Sequence, residues 1–162
     1  TYQAISGAGA RAIETFEAQC LAAANGEAIP TSDALKERLA GNLLMHWSVD
    51  AQTGYQEEEL KMVFETRKIL GDPGIAVSPT AVRVPVMHGH AESIAVQTRE
   101  PLTAIRAREL LDAAPGILVV DDFAAGVYPR PIDCVGRDET LVGRIRDDIG
   151  LSGGVQMWVV SD

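Results

Sequence analysis

Long apolar runs are missing from this chain, and with them any stretch of the roughly 20 consecutive apolar residues that a membrane-crossing helix needs. Basic residues are in deficit: 14 Lys and Arg stand against 23 Asp and Glu, giving a formal charge of -9. A surface of that sign repels phosphate backbones and anionic membranes, so neither nucleic acid nor a membrane is expected as a partner. Cysteine is scarce as well. Cys20 and Cys134 are too few and too far apart for a disulfide framework or a thiolate metal cluster, which fits a reducing, cytoplasmic setting. No basic segment followed by an apolar one opens the chain, and Thr1 stands where an initiator Met would, so neither a secretion signal nor a natural start is evident and the chain reads as a fragment. Internal repeats and low-complexity tracts are absent too.

What is present is an ordinary globular balance, 46% apolar and 23% charged over 162 residues, enough for one domain. Over residues 10–24, Ile13, Phe16, Cys20 and Leu21 recur at three- and four-residue spacing and predict a helix whose apolar stripe carries Cys20 as inert packing. Gly26 stops it. Residues 27–53 hold no sustained period and read as a long excursion of illegible role. Over residues 55–70, Leu60, Val63, Phe64 and Leu70 predict a buried stripe opposite a polar one of Glu58, Lys61, Glu65 and Lys68. Strands are predicted over 80–86 and 93–98 around a break at His88-Gly89-His90. Thr103 can cap a third helix bearing Ile105, Leu110 and Leu111, stopped by Pro115-Gly116. Short strands follow at 117–120, 141–145 and 155–160, with a Pro/Gly loop over 123–136 that contains Cys134. Helices first and strands in near succession afterwards point to an α+β fold, a mixed, largely antiparallel sheet with helices on one face.

Several side chains carry chemical potential, each with a plainer alternative. Ser6-Gly7-Ala8-Gly9-Ala10 leads into a helix whose N–H groups suit an anion or carboxamide, but no strand-turn unit is predicted before it, and a small-residue turn serves as well. Arg83 and His90 pair a carboxylate grip with a proton carrier. Their odd spacing sends them to opposite faces of a regular strand, so convergence requires a bend near Gly89. The alternatives are an ion-paired strand Arg and a hydrogen-bonded loop His. His88, His90 and His46 suggest a metal, yet no third ligand stands at a persuasive spacing and none is expected. Glu58 and Lys61, one helical turn apart, present an anion and a cation together, as any solvated helix face does. Neither Cys20 nor Cys134 looks like a nucleophile.

Taken together, Thr1-Tyr2-Gln3-Ala4-Ile5-Ser6-Gly7-Ala8-Gly9-Ala10, Gly54-Tyr55 through Glu58-Leu60-Lys61 to Glu65-Thr66-Arg67-Lys68-Ile69, and Val82-Arg83-Val84-Pro85-Val86 with Gly89-His90-Ala91-Glu92 resemble aspartate-β-semialdehyde dehydrogenase. The likeness continues through Ala114-Pro115-Gly116, Val120-Asp121-Asp122, Tyr128-Pro129-Arg130-Pro131 and Val142-Gly143-Arg144-Ile145-Arg146-Asp147-Asp148. It departs at His88, where the family often has Arg, and over residues 42–53, which match only some branches.

The resemblance implies a catalytic and dimer-forming domain over residues 1–162, folded like the C-terminal domain of glyceraldehyde-3-phosphate dehydrogenase. It implies an NADP-dependent reductive dephosphorylation of β-aspartyl phosphate to aspartate semialdehyde, on the way to lysine, threonine and methionine. In the family a cysteine thiolate attacks the substrate and a thioester forms. That cysteine and the Rossmann-type NADP domain are expected upstream of this chain, which alone should be inactive. By the same resemblance, Arg83 binds the substrate carboxylate, Glu58 its amino group and Lys61 its phosphate. His90 is the acid/base, Gln3 lies by the catalytic thiol, and Ser6 and Gly7 lie near the nicotinamide. Aspartate semialdehyde and phosphate are the expected ligands, and a homodimer or dimer of dimers the expected assembly. The competing reading is a paralogue that kept only the dimer surface as an interaction module; the retained polar set argues against it.

Overall fold

A computed structural model describes residues 1–45 and 48–162, which divide into two compact units, Thr1–Pro85 and Val86–Asp162.

In the first unit, strand β1 (Tyr2–Gln3) runs through a 3-10 turn (Ile5–Ala8) into helix α1 (Ala10–Asn25). A strand therefore does precede the Ser6-Gly7 turn, although none was expected; its two residues are too few to register as β periodicity. Helix α1 ends where Gly26 enters the left-handed region at φ 70° and returns its N–H to the last turn. The buried face of α1 is Ala12, Phe16, Gln19 and Ala22, rather than the predicted stripe. Phe16 belongs to both; Cys20 and Leu21 are exposed, so Cys20 is not core packing.

Gln19 is what holds the excursion. Fully buried, it donates from Nε2 to the carbonyls of Pro30 and Glu37, both at 3.0 Å, and accepts at Oε1 from Leu39 N–H (2.8 Å) and Ala40 N–H (3.2 Å). Both polar ends of one amide are thus satisfied by backbone that would otherwise be stranded away from water. Residue 44 then bridges β2 (Val82–Arg83), trading hydrogen bonds with Arg83 at 2.8 and 3.1 Å. On its other side β2 pairs in parallel with β1, Gln3 opposite Arg83. The strand predicted over 80–86 is two residues long, because Pro79 and Pro85 lack the N–H groups that would extend it.

Helix α2 (Glu57–Leu70) forms where predicted, but its apolar stripe does not lie in the core of its unit. Phe64, Ile69 and Leu70 are exposed, Leu60 and Val63 half-buried, and the one fully buried side chain is Glu59.

The second unit is a four-stranded sheet in the order β3 (His90–Gln97), β6 (Gly154–Ser161), β5 (Thr140–Asp147), β4 (Ile117–Val119). β6 is antiparallel to both neighbours and β4 parallel to β5, so the architecture is α+β with a mixed, mostly antiparallel sheet, as expected. Helix α3 (Ala104–Asp112), capped by Thr103 as predicted, buries Ala107 against Val142, Ile145 and Val155. Ile105 and Leu110, expected to pack, face outward. On the opposite face Cys134 packs with Ala91, Leu141 and Val160. Cys134 ends a one-turn helix α4 (Pro131–Cys134) inside what was predicted as loop; Pro131 in its first turn pre-sets φ for the helix.

The register between β5 and β6 slips between Gly143 and Arg146, with Arg144 at φ 52°. Gly143 cannot be larger: a Cβ there would stand 2.3 Å from the Val120 carbonyl oxygen. The bulge is closed by Asp121, whose fully buried carboxylate accepts from Arg144 N–H (2.8 Å) and Ile145 N–H (3.0 Å) and pairs with Arg108 of α3. Replacing Asp121→Ala strands two N–H groups and a half-buried guanidinium together. The expected loss is about 3 kcal/mol of unfolding free energy in urea titration. An unchanged midpoint would mean that the bulge closes without the carboxylate.

Candidate functional site

Polar side chains of the first unit gather around Arg83. Its guanidinium is half-buried, donates from Nη1 to the Ala4 carbonyl at 2.6 Å, and forms part of the wall of a pocket of about 570 Å³. Burial pushes the Arg83 pKa down, while the charge of Glu58 on α2 pulls it up. Arginine starts so high that the group stays a cation at neutral pH, a fixed charge facing the pocket.

Glu58 in turn pairs with Lys61, Nζ to Oε2 3.5 Å, with the lysine side chain the more exposed of the two. Exposure makes that ion pair weak, so Lys61 can exchange Glu58 for an anionic ligand at small cost. Gln3, opposite Arg83 in the β1–β2 register, is buried, and among the described residues nothing meets its Oε1. Register partners project to the same side of a ribbon, so the Gln3 and Arg83 side chains leave β1 and β2 on the same side. Ser6 and Gly7 occupy the 3-10 turn, half-buried and exposed. Its neighbours Ile5 and Ala8 line the pocket with Leu44 and residues 33–37 of the excursion.

Two contributors escaped the reading of residues alone. Gln19, a polar residue on the core face of α1, fixes the excursion that walls the pocket; its three-residue spacing from Phe16 and Ala22 was the available signal. Glu59 stands in the acidic first turn of α2, next to the predicted polar stripe. It is buried, and its carboxylate joins the first turn of α2 to the segment entering β2, accepting from Gln56 N–H at 2.9 Å and Ala81 N–H at 2.9 Å.

His90 belongs to the second unit. It is half-buried and opens β3 opposite Ser161, so it lies in a strand and not in the break. The bend that the Arg83 and His90 spacing demands is present at Gly89, which is buried with φ 79°. A Cβ on Gly89 would lie 2.6 Å from the Pro131 carbonyl oxygen and 2.7 Å from Cys134 Sγ. The Cys134 thiol donates to that same carbonyl at 3.0 Å, and burial, seconded by Asp162, pushes its pKa up, so it is no nucleophile. His88 is exposed, and His46 lies outside the described residues. Among the described residues no cluster of His, Cys, Asp or Glu is placed to hold a metal ion, and no helix is long and apolar enough to cross a membrane.

The family described as semialdehyde dehydrogenase, dimerisation domain, matches residues 1–162, the whole chain. This chain belongs to that family. An aspartate-semialdehyde dehydrogenase of Aquifex aeolicus is 47% identical over the full chain, which spans 48% of that protein. The enzyme of the same name from Legionella pneumophila is 45% identical, with 47% of it covered. Among solved structures, aspartate semialdehyde dehydrogenase II of Vibrio cholerae, complexed with ASA, superposes with a TM-score of 0.93 at 39% identity over 99% of this chain and 47% of that one. The chain therefore spans about half the length of the relatives it matches.

Gly89→Ala meets both a left-handed backbone and two hard contacts. It should lower unfolding free energy by about 3 kcal/mol in urea titration. Wild-type stability in that variant would mean that the bend before His90 does not need glycine.

Proposed function

We propose that this domain supplies the substrate-clamping half of an aspartate-semialdehyde dehydrogenase, acting in the biosynthesis of lysine, threonine and methionine. The reaction reductively dephosphorylates β-aspartyl phosphate with NADPH; in reverse, aspartate semialdehyde, phosphate and NADP⁺ give β-aspartyl phosphate, NADPH and a proton. The observation that carries the reading is the cluster in the first unit: Arg83 half-buried in a pocket wall, Glu58 acting on it, Lys61 within 3.5 Å of Glu58, and Gln3 with a buried free acceptor alongside.

An amino-dicarboxylate derivative matches that set. Arg83 grips its carboxylate in the planar geometry guanidinium favours, Glu58 takes its ammonium, and Lys61 meets phosphate. Holding all three substituents fixes the reacting carbon, which converts binding energy into orientation. Gln3 offers its oxygen beside the attacking thiol, and the His90 imidazole moves the proton. On this reading the attacking thiol comes from outside this domain, which should not turn over by itself. NADPH would supply the hydride in the reductive direction and NADP⁺ would accept it in reverse; Ser6 and Gly7 would lie along the nicotinamide, on an exposed, small-residue 3-10 turn. Most of its binding site lies in the other half of the enzyme.

The family's dimer-forming role fits the second unit's sheet, whose face opposite α3 leaves Ser93 and Ala95 exposed and Trp158 half-buried. A homodimer through this face, or a dimer of dimers, follows. Light scattering should report a dimer, and Ala95→Arg, which places a charge on that face, should shift it towards monomer. A monomeric wild type at high concentration would refute the assignment.

The enzymatic reading is tested in the full-length protein by phosphate-dependent NADPH formation from aspartate semialdehyde. Arg83→Ala should raise KM for the semialdehyde by about a hundredfold, the loss of a charge-assisted bidentate contact, with little change in KM for NADP. Equal losses for both ligands would overturn the role given to Arg83.

A further inference from the structure

Helix α2 and strand β2 each carry part of the proposed clamp, Glu58 and Lys61 on the helix and Arg83 on the strand, and 11 residues separate the end of one from the start of the other. Residues 71–81 have no regular secondary structure, so their backbone offers no ladder to hold the two elements in register. Buried hydrogen bonds at the start of α2 hold the register instead. Glu59 Oε2 accepts the N–H of Gln56, the residue before α2, at 2.9 Å, and Glu59 Oε1 accepts the N–H of Ala81, the residue before β2, at 2.9 Å. The Gln56 side chain ties the same two elements again, its Nε2 donating to the Ala81 carbonyl at 3.0 Å and to Glu59 Oε1 at 3.4 Å. Both residues are buried, Glu59 at 6% and Gln56 at 4% exposure, so water does not compete for these bonds.

From this geometry we infer that Glu59 is a positioning residue for the active site: its carboxylate sets the separation of Glu58 and Lys61 from Arg83. The inference rests on the function proposed above and assigns it a residue that touches no substrate. Glu58 precedes Glu59 in the first turn of α2 and Lys61 follows two residues later, so a rotation of that turn moves both. Arg83 lies two residues beyond Ala81, so the same carboxylate registers the strand. A carboxylate fits this geometry, because each of its oxygens takes one backbone N–H from a different element, and an amide would turn an NH₂ toward one of them.

The test is Glu59→Gln in the full-length enzyme, which keeps the volume and replaces one acceptor with a donor. It should raise KM for both aspartate semialdehyde and phosphate by about tenfold, as a displacement of under 1 Å does, while KM for NADP changes less than about twofold. Glu59→Gln should also add almost nothing to Lys61→Ala in a double-mutant cycle on phosphate KM, because the side chain it positions is gone. A merely structural Glu59 would lower the melting temperature, leave both substrate constants unchanged in the protein that remains folded, and give additive effects in the cycle; that pattern overturns the inference. Should Glu59→Gln fail to fold, Gln56→Met removes the second tie alone and should move the same two constants in the same direction by a smaller factor; unchanged constants would refute the linkage. Arg83→Ala and Lys61→Ala serve as controls. If neither alters its own ligand's constant, the functional reading fails; if both do and Glu59→Gln does not, only the positioning role fails.

Discussion

A peptide N–H withdrawn from water must find an acceptor, and the irregular stretches of this chain meet that demand through three buried side chains. Gln19 takes the N–H groups of Leu39 and Ala40 and donates to two carbonyls of the excursion. Glu59 takes those of Gln56 and Ala81. Asp121 takes those of Arg144 and Ile145 at the bulge. Each meets backbone that a ladder leaves without a partner: the excursion, the starts of α2 and β2, and the bulge of β5. The chain has few aromatic side chains, 5% of its residues, to fasten loops by apolar bulk, so polar anchors carry that load.

The proposed site inherits its geometry from the first two anchors. Gln19 fixes residues 30–40, part of which walls the pocket beside Arg83, and residue 44 clasps Arg83 through two backbone hydrogen bonds. Glu59 relates the helix that bears Glu58 and Lys61 to the strand that bears Arg83. The side chains proposed to bind substrate, Glu58, Lys61 and Arg83, are exposed or half-buried, and the groups proposed to aim them are buried. That division suits a clamp, because a buried hydrogen-bond network resists the torque that ligand binding exerts on the exposed groups.

Element positions were legible because local chemistry decides them. Gly26 and Gly71 end α1 and α2 at left-handed φ, Thr103 caps α3, and the β-rich runs at 141–145 and 155–160 became strands. Faces were less legible. The predicted stripe of α1 placed Cys20 and Leu21 inside, where Ala12, Gln19 and Ala22 lie instead, and that of α2 placed Phe64 and Leu70 inside, where Glu59 lies. An amphipathic period says that a helix has two faces; it does not say which neighbour will meet them, or whether that neighbour is in the same chain.

The candidate site divides in the same way. Order and spacing of residues alone pointed to Gln3, Glu58, Lys61, Arg83 and His90 through the family resemblance, and the need for a bend at Gly89 followed from the period of a strand. Tertiary structure alone decided that Glu59, one residue from a ligand candidate and identical to it in chemistry, turns inward to bind backbone. It decided likewise that a glutamine on α1 organises residues 18 to 21 positions away. Covalent sequence encodes propensity and periodicity, which act over a few residues; the partner of a buried hydrogen bond is chosen by which distant backbone arrives without water, and that is known only when the chain has packed.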